Sequence, residues 1–195
     1  EAKKHLHCLS CYPNEFWKYA TSVFFLKNKD SATFDQDFCK MLQKLIAFLF
    51  AKFIDAPSVN AIKDDIYSAC ITLQNQNELQ FRITLNEDLL KQQIDGHSSS
   101  RISRALLLLD AYLNTSQTNL IPETFDIEHI FPKKWQDTNY NGWNIEDAVK
   151  YLDRFGNKIV FEKKLNIQAG NGYFGVKKQK YSLSKIACVV DLSTY

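Results

Sequence analysis

The residue pair in this chain best suited to chemistry is a histidine preceded by a carboxylate. The stretch Asp126-Ile127-Glu128-His129-Ile130-Phe131-Pro132 sets His129 directly after Glu128, at the end of an apolar, strand-like run. An imidazole exchanges a proton near neutral pH, and a neighbouring acid can either orient it or hold a metal ion. Glu and His are common residues, so the heptapeptide by itself reads more readily as an exposed surface pair. Two downstream features weigh against that reading. Gly156-Asn157 precedes the apolar run Ile159-Val160-Phe161, and Asn166 follows nine positions after Asn157. Taken singly, the first is a turn and the second a helix cap.

Taken together, a carboxylate–histidine strand, an asparagine at a turn and a third polar ligand opening a helix make the HNH arrangement, a ββα unit that holds one divalent metal. The ordered set Glu128-His129-Ile130-Phe131-Pro132, Gly156-Asn157, Asn166 and Phe174-x-x-Lys177-Lys178-x-x-Tyr181 resembles the C-terminal HNH nuclease domain of GmrSD-type, modification-dependent restriction endonucleases. The resemblance is firmest over residues 121–185. It extends more weakly upstream, where the family has an apolar helix like that of Arg104 to Leu109.

The resemblance implies that His129 is the general base that deprotonates water for attack on a DNA phosphodiester. It implies that Glu128 and Asn166 bind the metal, and that Asn157 ties the loop together and orients His129. Hard oxygen ligands of this kind suit Mg²⁺ or Mn²⁺. Asp126 competes with Glu128, because strand periodicity sets both carboxylates on one face and His129 on the other. A bulge or a strand end would resolve that conflict, and adjacency to His129 favours Glu128. Lys164, Lys177, Lys178 and Lys180 become candidate phosphate contacts; without the nuclease reading, the last three are a solvated helix face. Two positions depart from the family pattern. Lys158 replaces the usual apolar residue after Gly-Asn, with a one-residue shift of strand register as its expected effect, and Asn171 competes with Asn166 as the helix ligand. Family members carry an N-terminal nucleotide-hydrolysing domain of ParB-like fold before the nuclease. The resemblance implies that such a domain stands outside these residues, and the start Glu1-Ala2-Lys3-Lys4 reads as the beginning of a fragment.

The elements that must position these residues change character along the chain. Apolar residues recur at three and four over Phe16 to Val23, Phe34 to Leu49 and Val59 to Leu73, which predicts three amphipathic helices, the third started by Pro57-Ser58. Phe81, Ile83 and Leu85 alternate as in a strand, while Asn86-Glu87-Asp88 equally suits the start of a helix through Ile94. Gly96 to Ser100 reads as a loop, Arg101 to Leu113 as an apolar helix, and Thr115 to Asn119 as a linker. Beyond Pro122, strands are expected around Phe125 to Ile130 and Lys158 to Phe161. A short helix opened by Asn144 to Asp147 and running to about Arg154 lies between them, with a last helix after. The expected fold is mainly α with a small α+β part: a helical platform over residues 1–120 and an HNH-type ββα metal finger over residues 121–195.

Composition excludes several classes. The 195 residues carry 24 Lys+Arg against 22 Asp+Glu, too balanced for a diffuse polybasic binder. The balance hides polarity: residues 121–157 hold 4 basic and 7 acidic side chains, while residues 158–185 hold 7 basic and one acidic. No apolar run approaches the roughly 20 residues of a membrane span. The five irregularly spaced cysteines argue for a reducing compartment, here the cytoplasm. His5-x-His7-Cys8-x-x-Cys11 has zinc-ligand types, but one Cys-x-x-Cys is weak. No phosphate-binding glycine loop, dinucleotide fingerprint or serine elbow is present. His97 reads as exposed, and Trp135, Trp143, Tyr173 and Phe174 as packing residues.

Overall fold

The computed structural model describes residues 1–58, 60–76, 79–81, 86–96, 100–134 and 142–195. Val59, Ile83, Leu85, His97 and Trp135 lie outside the described residues. The fold is mainly helical, with a small two-stranded antiparallel sheet. The chain divides into two compact units, Glu1–Ile94 with Ser99–Leu106, and Leu107–Tyr195 with Asp95–Ser98.

The first unit contains α1 (Ala2–Ser10), α2 (Trp17–Asn28), α3 (Phe34–Asp55), α4 (Lys63–Gln76) and α5 (Glu87–Gly96), together with the start of α6 (Ser100–Leu113). Its core is the apolar stripe of α3, where Leu42, Leu45, Leu49 and Phe53 are buried at helical spacing. Tyr12 reaches this stripe and donates its hydroxyl to the Leu49 carbonyl at 3.0 Å. Helix α4 starts at Lys63, five residues after Ser58, because Pro57 and Ser58 are taken up in a turn: Ser58 N bonds Ala56 O and Ala61 N bonds Ser58 O. Asn86 does open a helix, its side chain accepting from Leu89 N at 3.1 Å. Helix α1 was not expected, and it takes in His5, His7 and Cys8 of the N-terminal zinc-type residues. The helix buries Cys8 completely, and burial pushes its thiol up to about 12. His5 instead lies 3.6 Å from the Cys39 sulfur.

In the second unit, β1 (Phe125–His129) pairs antiparallel with β2 (Lys158–Glu162). Between them stand α7 (Ile145–Leu152) and a single 3₁₀ turn (Phe155–Asn157), and after them α8 (Lys163–Ala169), α9 (Phe174–Tyr181) and α10 (Ala187–Leu192). Helix α7 begins with a reciprocal cap, Asn144 accepting from Asp147 N and Asp147 accepting from Asn144 N. Helix α8 stops at Gly170, whose φ of 58° is disfavoured for residues with a Cβ. Three short helices follow β2 where one was expected.

The segment Thr115 to Asn119 is not a free linker. Gln117 is 3% exposed, its amide donating to Asn119 O at 2.9 Å while its oxygen accepts from Ala187 N at 2.7 Å. A polar stretch is thereby packed against the start of α10, close to where the chain enters β1.

Candidate active site

The ladder runs without a bulge from Phe125↔Glu162 to His129↔Lys158. Lys158 therefore keeps the register, and no slip brings the two faces of β1 together. Asp126 and Glu128 share one face with Ile159 and Phe161; His129 projects from the other.

His129 is the last residue of its strand, with 19% of its side chain exposed. Its Nε2 lies 4.0 Å from Asp153 Oδ1, and Lys158 binds the same acid through its Oδ1 at 3.6 Å and its carbonyl at 2.9 Å. Burial first, then Lys158 and Lys133, hold the imidazole below its ordinary 6.5, while Asp153 pulls weakly the other way. His129 is thus a part-buried imidazole whose surroundings favour its neutral form over imidazolium.

Two asparagines fix the loop that leaves His129. Asn157 accepts from Phe131 N at 2.7 Å and donates to Phe131 O at 3.2 Å and Leu152 O at 2.9 Å. Its own carbonyl accepts from Ile130 N at 2.9 Å. Asn171 does the same to Lys134, accepting from its N–H at 3.0 Å and donating to its carbonyl at 2.8 Å. An amide side chain matches a peptide group donor for acceptor, so each pairing is a two-point grip on the backbone. Asn171, the alternative helix ligand, is engaged in this grip.

On the opposite face, Glu128 is buried, 4% exposed, beneath α9. Lys177 and Tyr181 lie one turn apart on that helix and both meet the carboxylate. The Lys177 Nζ stands 2.6 Å from Glu128 Oε1, and the Tyr181 hydroxyl donates to the same oxygen at 2.8 Å. Lys177 also donates to the His129 carbonyl at 2.5 Å. Lys177, only 1% exposed, is therefore not on a solvated face, and the phosphate contact expected of it is sterically closed. Tyr181 packs edge-on against Phe161, with centroids 5.3 Å apart. Burial and then the Glu128 charge raise its phenol well above the usual range.

The remaining candidates are dispersed. Lys164 is exposed on α8, whereas Lys178 is half-buried and binds Tyr195 O at 2.5 Å. Lys180 is half-buried further along α9. Asp126 and Asn166 are half-buried. The residues that sequence reasoning missed are Lys133 and Asp153, neither of which carries a motif, and the role of Lys158 as the cross-strand neighbour of His129. Trp143, expected in packing, is 41% exposed and stands between Phe131 and Tyr151 at centroid distances of 5.7 and 5.2 Å.

The model of the family described as GmrSD restriction endonucleases, C-terminal domain, matches residues 63–192. The chain belongs to this family. Comparison with curated proteins and with solved structures gives no significant match. The match runs from the first residue of α4 to the last residue of α10. The GmrSD C-terminal domain thus takes in helices of the first unit as well as both strands, reaching further upstream than the motifs alone indicate.

The metal that GmrSD-type nucleases imply can be tested against the donors. Among the described residues no group of three or more His, Cys, Asp or Glu is placed to hold an ion. Glu128, the favoured ligand, already carries an ammonium and a phenol on one oxygen. These residues, as arranged, do not fit a divalent site centred on Glu128.

Proposed function

We propose that this GmrSD C-terminal domain is a DNA endonuclease of HNH type, the cutting part of a restriction system against foreign or modified DNA. The observation that carries the reading is the position of His129 at a strand end whose outgoing loop is clamped by Asn157. In this reading the unit β1–β2–α8 is the ββα finger. Water attacks the phosphorus of a phosphodiester as His129 takes one of its protons; the P–O3′ bond breaks, and the departing oxygen is protonated from solvent. Lys133, Lys134 and Lys164 supply positive charge on exposed surface near or within the finger, where a phosphate backbone can be received.

Mg²⁺ or Mn²⁺ is the cofactor implied by the family resemblance, with Asp126 and Asn166 as the candidate ligands not engaged by Lys177. No step above depends on it. The family pattern also implies a nucleotide-hydrolysing domain N-terminal to this one, and the irregularly spaced cysteines point to a reducing, cytoplasmic setting. Among the described residues no helix is long and apolar enough to cross a membrane.

The test is cleavage of supercoiled plasmid by the parent chain and by His129→Ala, each with Mg²⁺, Mn²⁺ or EDTA. Nicking or cutting by the parent that His129→Ala reduces at least about 10²-fold supports the reading. Equal behaviour of the two sinks it. Salt-dependent DNA binding with no cutting under any condition would instead mark a binding module of the same fold.

A further inference from the structure

We propose that Lys177, Glu128 and Tyr181 are positioning residues for His129, and that the cation partnered with Glu128 is the Lys177 ammonium. The inference rests on the reading of His129 as the base. A carboxylate that is 4% exposed needs opposite charge and hydrogen-bond donors to be tolerated in the interior, and α9 supplies both. A buried ammonium must satisfy three N–H donors, and the backbone group that takes the second of them decides what the ion pair tethers. Here the ammonium also holds the His129 carbonyl at 2.5 Å, so the charge of Glu128 is transmitted to the peptide of the neighbouring residue.

That contact completes a two-sided restraint. Lys177 fixes the carbonyl of His129 from the buried face, and Asn157 O fixes the next amide, Ile130 N, from the loop side. With the peptide between them held from both sides, the backbone that carries the imidazole is fixed, and the side chain projects from the face opposite α9, toward Lys158 and Asp153. A divalent ion on Glu128 Oε1 would sit against the ammonium, where like charges in a dry interior repel strongly. The two roles of Glu128 are mutually exclusive in this arrangement.

The experiment uses the full 195-residue chain with Lys177→Met, Glu128→Gln, Tyr181→Phe and the double variant Lys177→Met/Glu128→Gln. Three quantities are read: plasmid cleavage resolved into kcat and KM, Mn²⁺ binding by electron paramagnetic resonance, and the Cε1–Hε1 resonance of His129. Lys177→Met is expected to lower kcat at least about tenfold with KM within about twofold. It should displace the His129 resonance while leaving those of His5 and His7 in place. Tyr181→Phe should show the same pattern more weakly. Glu128→Gln should bind Mn²⁺ within about twofold of the parent. A tenfold or greater loss of Mn²⁺ binding in Glu128→Gln, or an unmoved His129 resonance with full kcat in Lys177→Met, overturns the proposal. Where a single variant does not fold, the double variant carries the test, because it removes both buried charges together and still severs the link to the His129 carbonyl. If His129→Ala cuts like the parent, the reading of the base is lost, while the Mn²⁺ and resonance measurements still decide what Glu128 and Lys177 do.

Discussion

His129 and Lys158 face each other as the last registered pair of the β1–β2 ladder. The lysine is anchored by Asp153, so its charge stays beside the imidazole and cannot swing away into solvent. A cation in that place disfavours imidazolium and favours the form that accepts a proton. It also sets a positive charge where a phosphodiester would approach. The residue that looked like a departure from the family pattern sits beside the proposed base.

The acid-side midpoint of the cleavage rate should therefore lie below the ordinary imidazole value of 6.5, since His129 titrates under it. Removing a charge that lowers this value must raise it. Lys158→Met is expected to move the acid-side midpoint of the kcat/KM profile to higher pH, and an unchanged midpoint would refute the electrostatic role assigned to Lys158.

Folding stability carries the same sign. With the folded value of His129 depressed, the unfolded chain binds the proton first, so stability is present above about 6.5 and declines as pH falls through the folded value. Urea midpoints at pH 7.5 and 5.5 should differ in the parent and differ less in His129→Gln. His5, also depressed by burial, contributes the same trend in both proteins.

Asn157→Ala removes three side-chain hydrogen bonds at once and should cost about 1–3 kcal/mol, measured by denaturant unfolding. Displacement of the His129 loop should lower cleavage on the order of 10²-fold. Asn157→Asp keeps the acceptor for Phe131 N but loses both donations, and should fall between the alanine variant and the parent.

Among the lysines, exposure decides the outcome. Lys164→Ala should weaken DNA binding evenly across sequences and reduce the slope of log K against log salt by about 1. Lys177→Ala should leave that slope unchanged, since its ammonium is enclosed. Titration of a labelled duplex at several salt concentrations separates the two.

Long or strongly patterned elements were legible before any coordinates. Helices α2, α3 and α6 follow their apolar spacing, β1 and β2 their short apolar runs, and α7 its capping residues. Helices α8 and α10, of 7 and 6 residues, are too short for a period of 3.6 to establish itself, and α1 carries too mixed a stripe to stand out. At the candidate site, the strand that ends on His129 and the turn at Asn157 were readable because both lie within short local patterns. Lys177 was not: a lysine among lysines on a helix reads as solvated, and only Glu128, contributed by a distant strand, turns it inward. Gln117 and Asn171 were obscured in the same way. Polar residues in a loop give no local sign that a backbone group elsewhere in the chain will claim them.

The buried contact between Tyr181 and Glu128 spans 53 residues, and that between Lys177 and the His129 carbonyl spans 48. A chain made from its N-terminus at about 5–20 residues per second therefore releases β1 some 3 to 10 seconds before α9 exists to cover it. Over that interval Glu128 lacks its cation and the His129 carbonyl lacks its tether. A nascent chain that already carries β1, β2 and α8 therefore still lacks the helix that encloses Glu128, and completion of α9 sets the earliest moment at which that carboxylate can be paired and buried.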